Sequence, residues 1–321
     1  MQILFYVAIF CFSFPSLASG NFITDAKDLS NAGVQFTWRE VRSKSLKILI
    51  EYQNQNGTWQ RADLGSGFLI SPDGLFVTAY HVMQFCLEGQ KETSRFSDRV
   101  DCSAGRSTLR YKAQNGDRDF EIQIISHLKE ADSTRGKEVH TPDEIIKNRD
   151  FVIGKLKADS SVRFPYWELK DFEENKTNLL HPNADFELTP LFPPKRVFIV
   201  GYPKDHDFAI SEGFLNLTEK NRRGYFAADY KVYTPSYLES QGISLDTKWG
   251  MRVENHMSGG AVVDVSGYLV GLVVNGNHHT AGILSIENVL ETFFSRAGKS
   301  GATPAVFLGP TETPLYLREN Q

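Results

Sequence analysis

Asn255-His256-Met257-Ser258-Gly259-Gly260-Ala261-Val262-Val263 sets a serine before two glycines and then an apolar run. Glycine lets the backbone turn tightly beside the hydroxyl and lets a substrate chain come close. The serine N–H can then help hold the negative oxygen of an acyl-transfer intermediate. Ser-Gly-Gly alone is a common turn. Its weight depends on a base elsewhere in the chain that can take the hydroxyl proton.

Two upstream stretches offer that base and its orienting acid. Leu75-Phe76-Val77-Thr78-Ala79-Tyr80-His81-Val82 carries a histidine at the end of a strand-like run. Asp150-Phe151-Val152-Ile153-Gly154-Lys155-Leu156 carries an aspartate beside another. Singly, such a histidine is more often a packed core residue and such an aspartate a turn former. In the order His81, Asp150, Ser258 they make a base, an acid and a nucleophile. That order separates the chain from α/β-hydrolases, which run serine, acid, histidine around a G-x-S-x-G turn.

Outward from these stretches the text reads as short strands and turns. Leu46 to Tyr52 has strand character, Asn56-Gly57 signals a hairpin, and Leu64 to Ile70 is followed by the turn Ser71-Pro72-Asp73-Gly74. A polar insertion runs from about Glu88 to Asp119, and Glu121 to Ile125 reads as a strand. A second half holds Arg196 to Val200, Ala209 to Leu215, Tyr230 to Tyr233, Ala261 to Val265 and Tyr268 to Val274. Short strands at this spacing, with Gly, Pro and Asn turns between them, argue for an all-β barrel or sandwich closed by one C-terminal helix. Ser285 would cap that helix, with Ile286, Val289, Leu290, Phe293 and Phe294 on one face. The expected division is signal peptide 1–20, N-terminal extension 21–44, first β half 45–158, connection 159–185, second β half 186–284, and helix and tail 285–321.

The 41% hydrophobic and 23% charged fractions describe a globular chain with a full core, and the net charge of −4 is no nucleic-acid footprint. Met1 to Gly20 is uncharged, apolar from Ile3 to Phe14, and ends in small residues suited to cleavage after Ala18 or Gly20. It reads as a secretory signal peptide, although the usual basic start is missing; an N-terminal anchor is the alternative. The expected location is secreted or periplasmic, with no membrane contact after cleavage. Cys86 and Cys102 then remain as a pair, either one disulfide or two free thiols. No spacing of His and Cys suits a metal, and no cofactor is expected.

The resemblance becomes specific in the segments together. Gly65-Ser66-Gly67-Phe68-Leu69-Ile70 leading to Thr78-Ala79-Tyr80-His81 resembles the histidine-bearing segment of trypsin-like serine proteases. It is most similar to the bacterial branch with the HtrA-like and glutamyl-endopeptidase-like enzymes. Asp150-Phe151-Val152-Ile153-Gly154-Lys155-Leu156, Gly201-Tyr202-Pro203, Ser211-Glu212-Gly213 and Ser258-Gly259-Gly260 with Gly267 to Val273 match later segments of that family in order. The resemblance covers roughly residues 45 to 295. It implies an all-β fold of two six-stranded antiparallel barrels, over 45–158 and 186–284, with a C-terminal helix. It also implies a serine endopeptidase acting on proteins or peptides, with His81, Asp150 and Ser258 catalytic and the N–H groups of His256 and Ser258 as oxyanion hole.

Three departures stand out. His256 replaces the glycine usual two positions before the nucleophile; its N–H is expected to face the pocket and its side chain the solvent. Val274 stands where many animal members have a serine, and Tyr80 replaces a small residue. Met257 replaces the aspartate that animal trypsins pair with a new N-terminus, so that switch is not expected. The resemblance places Arg252, Val274 and Gly276 around the primary substrate pocket, with His278 and His279 beyond it. A protease-fold binding protein without turnover is the competing reading, and an esterase a third. Oligomeric state and side-chain preference are not legible.

Overall fold

The computed structural model describes residues 21–53, 56–87, 109–126, 150–168, 195–216, 225–229, 240, 252–276, 280–286 and 289. Two short helices open it: α1 (Ala26–Asn31) and α2 (Trp38–Lys44). Each begins on a side chain that satisfies an end N–H. Asp25 accepts from the Asp28 N–H at 2.8 Å, and Thr37 Oγ1 accepts from that of Glu40 at 3.2 Å.

The chain then enters β1 (Ser45–Gln53), β2 (Trp59–Leu69) and β3 (Leu75–Thr78), followed by helix α3 (Tyr80–Leu87). After β4 (Leu109–Asn115), β5 (Arg118–Ser126) and β6 (Val152–Lys157), these strands close in the order β1-β2-β3-β6-β5-β4. A second closed barrel holds β7 (Arg196–Gly201), β8 (Ala209–Asn216), β9 (Tyr225–Asp229), β10 (Ala261–Asp264), β11 (Leu269–Gly276) and β12 (Thr280–Ser285), in the order β10-β11-β12-β9-β8-β7. Every pairing is antiparallel, and closure leaves neither barrel a free edge. The expected pair of six-stranded barrels is the fold observed.

Two details differ from the sequence reading, and two expectations fall wholly or partly outside the described residues. The histidine-bearing run is not all strand: β3 stops at Thr78, and His81 lies in the first turn of α3. The stretch read as a polar insertion contains β4, where Tyr111 and buried Ala113 alternate with charged Arg110 and Lys112 and with Gln114. Tyr230 to Tyr233, expected as a strand, lies outside the described residues, just past β9 (Tyr225–Asp229). Of the C-terminal helix, Ile286 and Val289 are helical and buried, while Leu290, Phe293 and Phe294 also lie outside them.

One apolar cluster runs from the first barrel (Ile48, Phe68, Phe76, Ile153) into the second (Phe198, Val200, Ile210, Leu272). Phe36, ahead of α2, sets its ring edge-on to Phe198 at 5.6 Å. Trp167, beyond β6, packs edge-on to Phe68 and donates its Nε1–H to the Gly267 carbonyl at 3.2 Å. Burying one such side chain is worth about 1.5–3 kcal/mol, against about 0–1 kcal/mol for an exposed ion pair. The two barrels are therefore joined by packing, with the pairs at the surface adding little.

The N-terminal residues belong to this assembly. Ile23 exchanges both backbone hydrogen bonds with Ile210 of β8, at 2.8 and 2.9 Å. Phe22 is buried in a cluster of the second barrel with Val253 and Met257. Helix α2 reaches the loop after β7, where Arg42 pairs with Asp207 and Trp38 sits edge-on to Phe208 at 4.8 Å. Burial pushes the pKa of the Tyr202 hydroxyl up to about 12, against the opposing charge of Arg42.

Candidate active site

Strand pairing brings His81 and Asp150 to one rim. Thr78 at the end of β3 is the partner of Val152 at the start of β6. The residues just past Thr78 and just before Val152 therefore leave the barrel side by side. The His81 Nδ1 lies 2.6 Å from Asp150 Oδ2, and the His81 backbone N–H donates to Oδ1 at 2.9 Å. A carboxylate only accepts, so this bond puts the ring proton on Nδ1 and leaves Nε2 as the free base.

The environment of the pair is asymmetric. The Asp150 side chain is 3% exposed, whereas that of His81 is 40% exposed. The acid is shielded while the outer edge of the imidazole is open to a substrate. Desolvation alone would lower the His81 pKa, but the charge of Asp150 and its hydrogen bond outweigh it. The net direction is upward from the ordinary histidine value.

The serine turn lies just ahead of β10, between β7 and the first barrel. Met257 and Gly260 close it with a backbone hydrogen bond of 2.9 Å, and the Gly259 N–H donates to the Val273 carbonyl at 2.7 Å. From the first barrel, the Ser66 N–H in β2 donates to the Ser258 carbonyl at 2.9 Å. Gly259 is needed twice over. Its φ is +83°, and a Cβ there would stand 2.2 Å from the Ser66 carbonyl oxygen. Ser258 is half-buried and so remains reachable.

His256 is the one non-glycine residue with positive φ among the described residues, at +76°. A left-handed L-residue costs on the order of 1–2 kcal/mol, although histidine tolerates it better than most. Its side chain is half-buried rather than turned out to solvent. Burial pushes the imidazole below its ordinary pKa, with Asp63 and Asp205 opposing and Lys47 and Lys204 reinforcing that shift.

The candidate pocket residues fall in unlike settings. Arg252 donates its backbone N–H to Ser211 Oγ at 2.6 Å, pairs its guanidinium with Glu254, and lies over the Phe22 ring at 5.0 Å. Its charge is thus already met within the chain. The Val274 side chain is buried in the apolar cluster that also holds Ala79 and Val82, so it offers no open wall. Gly276 is exposed at the end of β11, opposite Ala281. His278, His279 and Cys102 lie outside the described residues, as does the Cys86 side chain in α3. Among the described residues no cluster of His, Cys, Asp and Glu could hold a metal ion, and no helix is long and apolar enough to cross a membrane.

A family model described as a trypsin-like peptidase domain matches residues 65–272, which include His81, Asp150 and Ser258. No curated protein matches the chain by sequence. Among solved structures, one titled "HtrA-type protease AlgW with decapeptide" is similar at 13% identity and a TM-score of 0.45. That match covers 80% of this chain, which spans 65% of the other chain's length.

Proposed function

Because this chain belongs to the trypsin-like peptidase family, we propose that it is a serine endopeptidase working through His81, Asp150 and Ser258. The observation that carries the reading is the double hydrogen bond from His81 to one buried carboxylate. It fixes both the position of the histidine and the tautomer that a general base requires.

In the proposed cycle the Ser258 hydroxyl attacks the scissile carbonyl while His81 Nε2 takes its proton. Asp150 stabilises the imidazolium that forms. The N–H groups of Ser258 and His256 receive the oxyanion, within a turn whose left-handed residue redirects successive N–H groups. The imidazolium then gives its proton to the leaving amine. Water, activated by the same nitrogen, hydrolyses the acyl-enzyme and restores the serine. These steps close on the chain's own groups.

The substrates are proposed to be proteins or peptides met outside the cytoplasm, after loss of a signal peptide ending at Ala18 or Gly20. Cys86 and Cys102 are proposed to be joined there. The test is cleavage of casein by the purified mature protein, beside a nitrophenyl ester and with Ser258→Ala as control. Casein cleavage lost in Ser258→Ala supports the reading. Ester turnover without casein cleavage favours an esterase. A folded wild-type protein inert toward both favours the binding-protein reading.

A further inference from the structure

Ser66 lies outside the proposed triad, in β2, and is fully buried. Its Oγ donates to the His256 carbonyl at 2.7 Å and accepts the Tyr202 N–H at 2.9 Å. Its backbone N–H donates to the Ser258 carbonyl at 2.9 Å, and its carbonyl accepts from Thr78 Oγ1 at 2.6 Å. One residue of the first barrel thus ties together the end of β3, the loop after β7 and both ends of the His256-Met257-Ser258 turn. The fit is close. A Cβ on Gly201 would stand 2.8 Å from Ser66 Oγ.

This contact falls at the strained residue. His256 is held at a φ of +76°, from which an L-residue relaxes toward negative φ unless its surroundings prevent it. The bond from Ser66 Oγ grips the carbonyl of that same residue. The second bond, from the Tyr202 N–H, fixes where the hydroxyl sits. An alanine at 66 would keep the two backbone bonds and lose both side-chain ones, leaving two polar groups without their partner.

We propose that Ser66 is a positioning residue whose hydroxyl holds His256 left-handed and so aims the donors of the turn. Its kinetic consequence rests on the peptidase reading above; its conformational consequence does not. The test uses the full mature chain, with crystal structures and kinetics of wild type, Ser66→Ala, His256→Gly and the double variant. In Ser66→Ala, His256 leaves the left-handed region. kcat falls about 10²-fold, as for a lost oxyanion donor, and KM moves by less than about threefold. In the His256→Gly background glycine adopts positive φ without strain, so Ser66→Ala lowers kcat by less than about threefold.

A His256 that stays left-handed in Ser66→Ala overturns the proposal. So does an equal loss of kcat in both backgrounds, or a loss carried by KM alone. If folded wild type turns over neither peptide nor ester, the peptidase reading falls and the φ of His256 alone decides for or against Ser66. If Ser66→Ala does not fold, Gly201→Ala, whose methyl displaces the same hydroxyl, takes its place with the same outcomes.

Discussion

The imidazole of His81 meets Asp150 Oδ2 at 2.6 Å while the His81 backbone N–H holds the other carboxylate oxygen at 2.9 Å. An asparagine can satisfy at most part of this arrangement and lets the ring proton settle on the wrong nitrogen. Asp150→Asn is therefore expected to lower kcat on the order of 10⁴-fold with the fold retained. Steady-state kinetics on a peptide substrate check this. A loss below about tenfold would falsify the role given to Asp150.

The upward direction of the His81 pKa fixes the sign of the pH dependence. Only neutral His81 can take the serine proton, and a raised pKa keeps it protonated to higher pH. kcat/KM of the free enzyme should rise with pH through a midpoint above about 6.5, the ordinary histidine value. In Asp150→Asn, with the carboxylate charge gone, the midpoint should move down. A wild-type midpoint below that of the variant contradicts the assignment.

Most of the strands were legible because closed antiparallel strands leave short apolar runs between glycine and proline turns. Ser258-Gly259-Gly260 and the run to His81 carried that signal. The remaining features have weaker local cues. Helix α3 follows β3 with one residue between, so its apolar Tyr80, Val82 and Met83 continue the strand's hydrophobic run. Helix α2 had a visible start in Thr37 and Glu40, a capping-box spacing, but seven residues hold little periodicity. The glycine that His256 replaces hinted at an unusual backbone angle, but the bond that holds its carbonyl comes from Ser66, far off in sequence, and had no local cue. Arg252 reads as a pocket cation until its pairing with Glu254 is seen.

Phe22 makes the N-terminal residues part of the second barrel. It is 5% exposed and packs with Val253 and Met257, and its ring lies under the Arg252 guanidinium at 5.0 Å. Phe22→Ala should destabilise the mature protein by about 3 kcal/mol, mostly through the cavity left behind. Urea denaturation measures it. A change within about 0.5 kcal/mol, typical of a surface site, would show that residues 21–24 are dispensable to the fold.

The bridge proposed between Cys86 and Cys102 has a signature in the melting temperature. A bridge closing about fifteen residues stabilises by about 3 kcal/mol through restriction of the unfolded chain. Reducing agent should lower the Tm of wild type and leave that of the double Cys→Ser variant unmoved. Two titratable thiols in the denatured, oxidatively purified protein rule the bridge out.

The most direct test of the triad is to treat the mature protein with a fluorophosphonate and map the adduct by mass spectrometry, since only an activated serine reacts. One adduct, on the peptide that contains Ser258, is expected in wild type, and none in folded Ser258→Ala or His81→Ala. An adduct on another serine, or undiminished labelling of Ser258→Ala, would contradict the assignment of Ser258 as the nucleophile.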